Sequence, residues 1–181
     1  HDSEKKRKGM ELSVGIIEDH NIFRKRLSEL LSFYDEINLI FSVEDAELCF
    51  DYLERAAETP DVLLMDIELP GLSGIEATFQ IKEKYPDIDI VMFTVFEDDE
   101  RIFESIQVGA SGYMLKDEPI EKVVDSIKEV RKGGSYMSPN IARRLMDMVS
   151  DVDRKTVLPE DGDSNAVAFD LSPAEIRILE K

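Results

Sequence analysis

A chain of 181 residues with 43% apolar content can bury a core, but its net charge of −18 leaves no basic surplus. Non-specific binding to nucleic acid or to anionic membranes is therefore disfavoured, because both depend on clustered positive charge. A single cysteine, Cys49, excludes a disulfide framework and a cysteine zinc site, and His1 and His20 are too few for a multi-histidine metal site. No apolar run approaches the ~18 residues of a membrane span and no signal peptide is visible, so a cytoplasmic location without membrane partners is expected.

Residues 1–10, HDSEKKRKGM, are polar and read as a tag or frayed extension, with Met10 as a plausible start. Residues 12–17, LSVGII, predict a strand ending at the acid pair Glu18-Asp19. Ile22, Phe23, Leu27, Leu30 and Leu31 then recur at helical spacing over 21–33. INLIFSV, 37–43, predicts a second strand, and 45–57 a helix whose apolar face carries Leu48, Cys49, Tyr52, Leu53 and Ala56. A third strand over 62–66 ends in Asp66, and a third helix over 73–84 stops before Pro86. Residues 88–94 predict strand four, 98–108 helix four, 112–115 strand five, and 119–132 a helix ended by Gly133-Gly134.

Five rounds of strand then helix, with nearly continuous apolar strands, predict an open α/β doubly wound sheet of five parallel strands covered on both faces. Residues 11–134 form this domain. Ser138-Pro139 starts a short trailing helix within 135–150, and Met146 and Met148 on it read as packing residues. Residues 151–170 carry six acids, two basic residues and no periodicity, and read as a flexible linker. In LSPAEIRILEK, 171–181, Ser172 and Glu175 make a capping box around Pro173, so a helix begins there.

A ligand site on such a sheet lies at the carboxyl ends of the strands. Glu18-Asp19, Asp66, Thr94 and Lys116 all fall on that edge. Three converging carboxylates would raise one another's pKa unless a cation relieves the conflict. Oxygen ligands alone favour Mg²⁺, which binds through a few carboxylates together with a phosphate. An Asp66 oxygen could then act as a nucleophile and form an aspartyl phosphate. Lys116 and the Thr94 hydroxyl could each take an oxygen of the transferred group.

This set resembles the receiver domain of two-component response regulators, over about residues 11–134. The matching features are Glu18-Asp19, Asp66-x-x-x-Pro70-x-x-x-Gly74, Thr94 in VMFTVF, and Tyr113-x-x-Lys116 in GASGYMLKD. EDHNIFRKRLSELL, the stretch from GASGYMLKD to YMSP, and IARRLM resemble the NarL/FixJ subfamily. LSPAEIRILEK resembles the opening of its LuxR-type helix-turn-helix output domain, truncated here. The resemblance implies a flavodoxin-like receiver fold, in which Asp66 accepts phosphate from a histidine kinase. It implies Mg²⁺ on Asp19 and Asp66, on Glu18 directly or through water, and on the backbone carbonyl of Glu68. It implies that Lys116 pairs with the phosphoryl group, and that Thr94 and Tyr113 form the switch, the ring of Tyr113 turning inward as Thr94 moves. A homodimer is expected, with DNA contacted only through the missing output domain. The expected product is a signalling switch rather than an enzyme.

Three departures stand out. The acid pair opens with Glu18 where Asp is common, Val95 follows Thr94 where a smaller residue is usual, and Asp117 follows Lys116 where proline is frequent. Val95 is expected to narrow access to Asp66. Without proline, the isomer of the 116–117 bond is left open. Glu68 and Phe96, two residues past Asp66 and Thr94, either tune phosphate hydrolysis or are solvated loop positions. His20 reads as a loop or cap residue rather than a catalyst. A Mg²⁺-dependent phosphatase of the haloacid-dehalogenase type uses similar groups, but there the nucleophile comes early and the acid pair late, the reverse of this order. A nucleotide-binding module would need a Gly-rich loop where Glu18-Asp19-His20-Asn21 stands.

Overall fold

A computed structural model describes residues 11–157, with side chains described as far as residue 152. Residues 1–10 and the expected helix start at 171–181 lie outside the described residues. The elements run β1 (Leu12–Ile17), α1 (Asn21–Ser32), β2 (Ile37–Val43), α2 (Ala46–Arg55), β3 (Val62–Met65), α3 (Gly74–Lys84), β4 (Asp89–Thr94) and α4 (Asp99–Gln107). They continue through β5 (Gly112–Leu115), α5 (Ile120–Arg131), β6 (Tyr136–Met137) and α6 (Pro139–Val157). The strand order is β2-β1-β3-β4-β5-β6, and every neighbouring pair is parallel.

The doubly wound sheet is the expected one, with a single addition. A sixth strand extends its edge by pairing Gly112 with Tyr136 and Tyr113 with Met137. Two residues are too short for any periodic signal, and the glycines before them mask it further.

Each central strand is apolar on both sides because each side is covered. Leu63 and Met65 of β3 join Cys49, Leu53, Ala77, Ile81 and Ile102 in one core layer. Their neighbours Val62 and Leu64 join Leu27, Leu31, Val123 and Ile127 in the opposite layer. Strand alternation thus sends successive residues of one run into two cores.

Helix starts are set by short polar side chains. Asp45 Oδ1 accepts from Leu48 N at 2.8 Å. Ser73 and Glu76 form a reciprocal capping box at the start of α3. His20 caps α1, its Nδ1 accepting from Phe23 N at 3.2 Å, in keeping with its reading as a cap residue.

The trailing helix is longer than expected. It begins at Pro139 as the Ser138-Pro139 pair suggested, but it runs on to Val157 through the first part of the expected linker. Neither proline nor glycine interrupts the chain between Pro139 and Pro159, so backbone propensity carries the helix through an acidic stretch. Its start is built into the domain: Ser138 N donates to Tyr113 O at 3.1 Å, and Ser138 Oγ accepts from Leu115 N at 3.1 Å. Ile141 is fully buried, and Arg144 Nη1 lies 3.2 Å from Asp99 Oδ1 of α4.

Candidate functional site

The backbone ladder runs one residue past β1, β3 and β5 and so fixes the site. Glu18 N donates to Val43 O (3.0 Å), Asp66 N to Ile17 O (3.0 Å), and Lys116 N to Thr94 O (2.9 Å). Chain order reverses direction between β1 and β3, the switch point where α/β sheets open a crevice. Glu18, Asp66, Thr94 and Lys116 are thereby brought to one edge, as the sequence suggested.

Lys116 is the hub of the charges. Its Nζ donates to Glu18 Oε1 at 2.5 Å and to Asp66 Oδ2 at 2.9 Å. Asp66 Oδ1 accepts from the Ile67 amide at 2.8 Å. Glu18 and Asp66 are only 3% and 6% exposed, whereas Asp19 is exposed at the rim. Burial, and after it the proximity of Asp66, push the Glu18 carboxyl up to about 8, with Lys116 opposing. Burial works against the charge of Lys116, but the two carboxylates outweigh it and its pKa is raised.

Glu18, Asp19 and Asp66 place carboxylate oxygens within 4.8 Å of one another. Glu18 Oε2 is buried with no hydrogen-bond partner. One lysine set against three acids, an orphaned buried oxygen and an all-oxygen donor set together fit a hard divalent cation such as Mg²⁺. This acidic pocket is of the kind that receiver domains use for that ion.

Gly74 explains part of the motif after Asp66. A Cβ built on it would lie 1.8 Å from the carbonyl oxygen of Asp66. Its amide donates to Ile67 O at 2.7 Å, drawing the start of α3 against the end of β3. Only glycine permits that approach. Gly71, at φ +76°, turns the loop before it.

Thr94 is fully buried beside this cluster, and its Oγ1 lies 3.5 Å from the Phe96 amide. Tyr113 is turned inward and 1% exposed, its hydroxyl donating to Phe96 O at 2.8 Å. Phe96 is half-buried, while Val95 is 65% exposed and Glu68 is exposed. The 116–117 bond is trans, and no described peptide bond is cis. Asp117 removes the proline that makes the cis form cheap.

Three participants escaped the sequence reading. Phe23, assigned only to the apolar stripe of α1, places its ring 4.9 Å from Lys116 Nζ and packs on Phe93. Arg24 donates to the backbone oxygen of Glu18 at 2.6 Å. Arg101 stands over the Phe96 ring at 4.1 Å. Phe23 and Arg24 come four and five residues after Asp19, and that proximity was the available signal. Arg101 offered none.

A parallel sheet of this order, with a lysine held between buried carboxylates at its carboxyl edge, defines a receiver fold. Residues 14–128 match the response regulator receiver domain family, and the chain belongs to it. Its relatives include a transcriptional regulatory protein and a response regulator, and a structural neighbour is a response regulator of the LuxR family. The chain is 29% identical to the transcriptional regulatory protein DegU of Brevibacillus brevis over 158 residues, 87% of this chain and 64% of DegU. It is 35% identical to the response regulator GacA of Pseudomonas aeruginosa over 169 residues, 92% of this chain and 73% of GacA. A crystal structure of a LuxR-family response regulator from an Aurantimonas species superposes with a TM-score of 0.71 at 28% identity, covering 76% of this chain and 97% of that one. The chain thus spans less than two thirds of DegU. The family assignment lends nothing to the phosphatase alternative. Among the described residues, no helix is long and apolar enough to cross a membrane.

Proposed function

We propose that Asp66 is the phosphoacceptor of a two-component response regulator. The observation that carries this reading is Lys116 Nζ bridging Asp66 and Glu18 at a buried strand end, beside an unpartnered Glu18 oxygen. A carboxylate oxygen of Asp66 attacks the phosphorus of a phosphohistidine on a histidine kinase. The P–N bond breaks, an acyl phosphate forms, and the departing imidazole takes up a proton. Mg²⁺ held by Asp19 and Asp66, by Glu18 directly or through water, and by the backbone carbonyl of Glu68 would neutralise charge on the phosphoryl oxygens.

Lys116 then gives up one carboxylate partner and pairs with a phosphoryl oxygen, and the Thr94 hydroxyl approaches another. Tyr113 reports that movement through its bond to Phe96 O. Val95, Phe96 and Glu68 flank the mouth and tune entry and hydrolysis. The switch acts through residues 171–181 and the helices that follow them in LuxR-type regulators, an output domain that contacts DNA, in a cytoplasmic homodimer. The description of DegU as a transcriptional regulatory protein supports a transcriptional output.

Incubation with acetyl phosphate and Mg²⁺ followed by intact mass tests the proposal. One added phosphoryl is expected on the unmodified chain and none on Asp66→Asn. Equal labelling of the two, or repeated turnover of the donor without a retained group, would overturn it.

A further inference from the structure

The β4–α4 loop carries Val95, Phe96 and Glu97 between the switch threonine and helix α4. Its position decides where Phe96 O sits, and Phe96 O is the acceptor for Tyr113. Two groups hold that loop. Tyr113 holds it from inside the sheet, and Arg101 holds it from outside with its guanidinium 4.1 Å from the Phe96 ring centroid.

Arg101 is itself tied to Asp98 at two points. Its Nη1 donates to Asp98 Oδ1 at 3.0 Å, and its amide donates to Asp98 Oδ2 at 3.2 Å. Asp98 is also the N-cap of α4, so guanidinium, cap and ring meet at one corner of the loop. A guanidinium suits this place because its planar face stacks on an aromatic ring while its edge pairs with a carboxylate.

We infer that Arg101 is a positioning residue of the switch: by clamping Phe96 it holds the acceptor that keeps Tyr113 inward, and so sets how the switch is poised. Arg101 touches neither Asp66 nor Lys116; it acts through Phe96. The inference rests on the Thr94–Tyr113 pair being the switch, as proposed above, yet its test needs no phosphoryl group.

Uniform 3-fluorotyrosine labelling, with the Tyr113 signal assigned by Tyr113→Phe, permits fluorine saturation-transfer measurement of the minor outward ring population. Arg101→Ala is expected to raise that population about two- to fivefold, the factor a partly exposed cation–π contact supplies. Arg101→Lys should restore only part of the loss, because an ammonium keeps the charge but not the planar face that stacks on the ring while its edge pairs with Asp98. Phe96→Leu should reproduce the Arg101→Ala effect, and the double variant should add little to it, since both changes cut one chain of contacts. Arg101 is partly exposed, so thermal melts are expected to show all variants folded. An outward population in Arg101→Ala no greater than in the parent chain overturns the inference, as do fully additive effects of the two changes. Failure of the parent chain to accept a phosphoryl group would instead strike the phosphoacceptor reading, leaving the Tyr113 result to be judged alone.

Discussion

Gly74 and Cys49 show how far a single side chain can be constrained. Alanine at 74 would drive a methyl group into the backbone oxygen of Asp66, so either α3 or the end of β3 must move. Gly74→Ala should cost about 1–3 kcal/mol, the range for overpacked sites, and should lower the acetyl-phosphate labelling of Asp66 more than it lowers the melting temperature. Measuring both on one sample separates site displacement from loss of fold. Cys49 is fully buried, and burial pushes its thiol up to about 12. It should therefore resist thiol reagents at pH 8 until the chain unfolds. Because the folded pKa lies above the unfolded one, the stabilising effect of the neutral thiol is complete below about 8.5 and is lost as pH rises towards 12. Cys49→Ala should flatten the alkaline limb of a denaturation-against-pH curve, and an unchanged limb would contradict this assignment.

The elements differ in how openly the sequence announces them. The central strands were legible because parallel strands covered on both faces are continuous apolar runs, and 12–17 and 112–115 match β1 and β5. Asp66 was legible as a site residue because a carboxylate ending such a run needs a partner. What sequence could not reveal was pairing across the sheet. Lys116 divides its hydrogen bonds between Glu18 and Asp66, residues 98 and 50 positions away. Phe23 and Arg101 were hidden because an aromatic on a helix stripe and an arginine in a first turn are ordinary in their own elements. Their roles exist only against Lys116 and Phe96. The two residues of β6 and the far end of α6 were missed for the opposite reason, since local signals there were too short or too polar to outweigh their surroundings.

For the whole molecule, the question is where the domain ends. A boundary at residue 134 leaves out Ser138 and Ile141, both buried and the first hydrogen-bonded to β5. Ile141→Ala should cost about 2–5 kcal/mol, as core truncations do, and should lower the urea midpoint accordingly. A loss below ~0.5 kcal/mol would place the helix outside the cooperative unit. The first half of α6 therefore belongs to the receiver, although its sequence reads as a connector.

The helix that starts at Ser138 also has a mechanical meaning. Nineteen residues of α6 form a rod of about 28 Å. Its fulcrum is hydrogen-bonded to the backbone of Tyr113 and Leu115 on β5, and Arg144 braces it on Asp99 nearly two turns further along. A tilt of only about 10° at that fulcrum would sweep the far end through about 5 Å, near one helical pitch, which is the step size by which packed elements exchange partners. Displacements too small to notice at the strand would arrive amplified at whatever the helix carries.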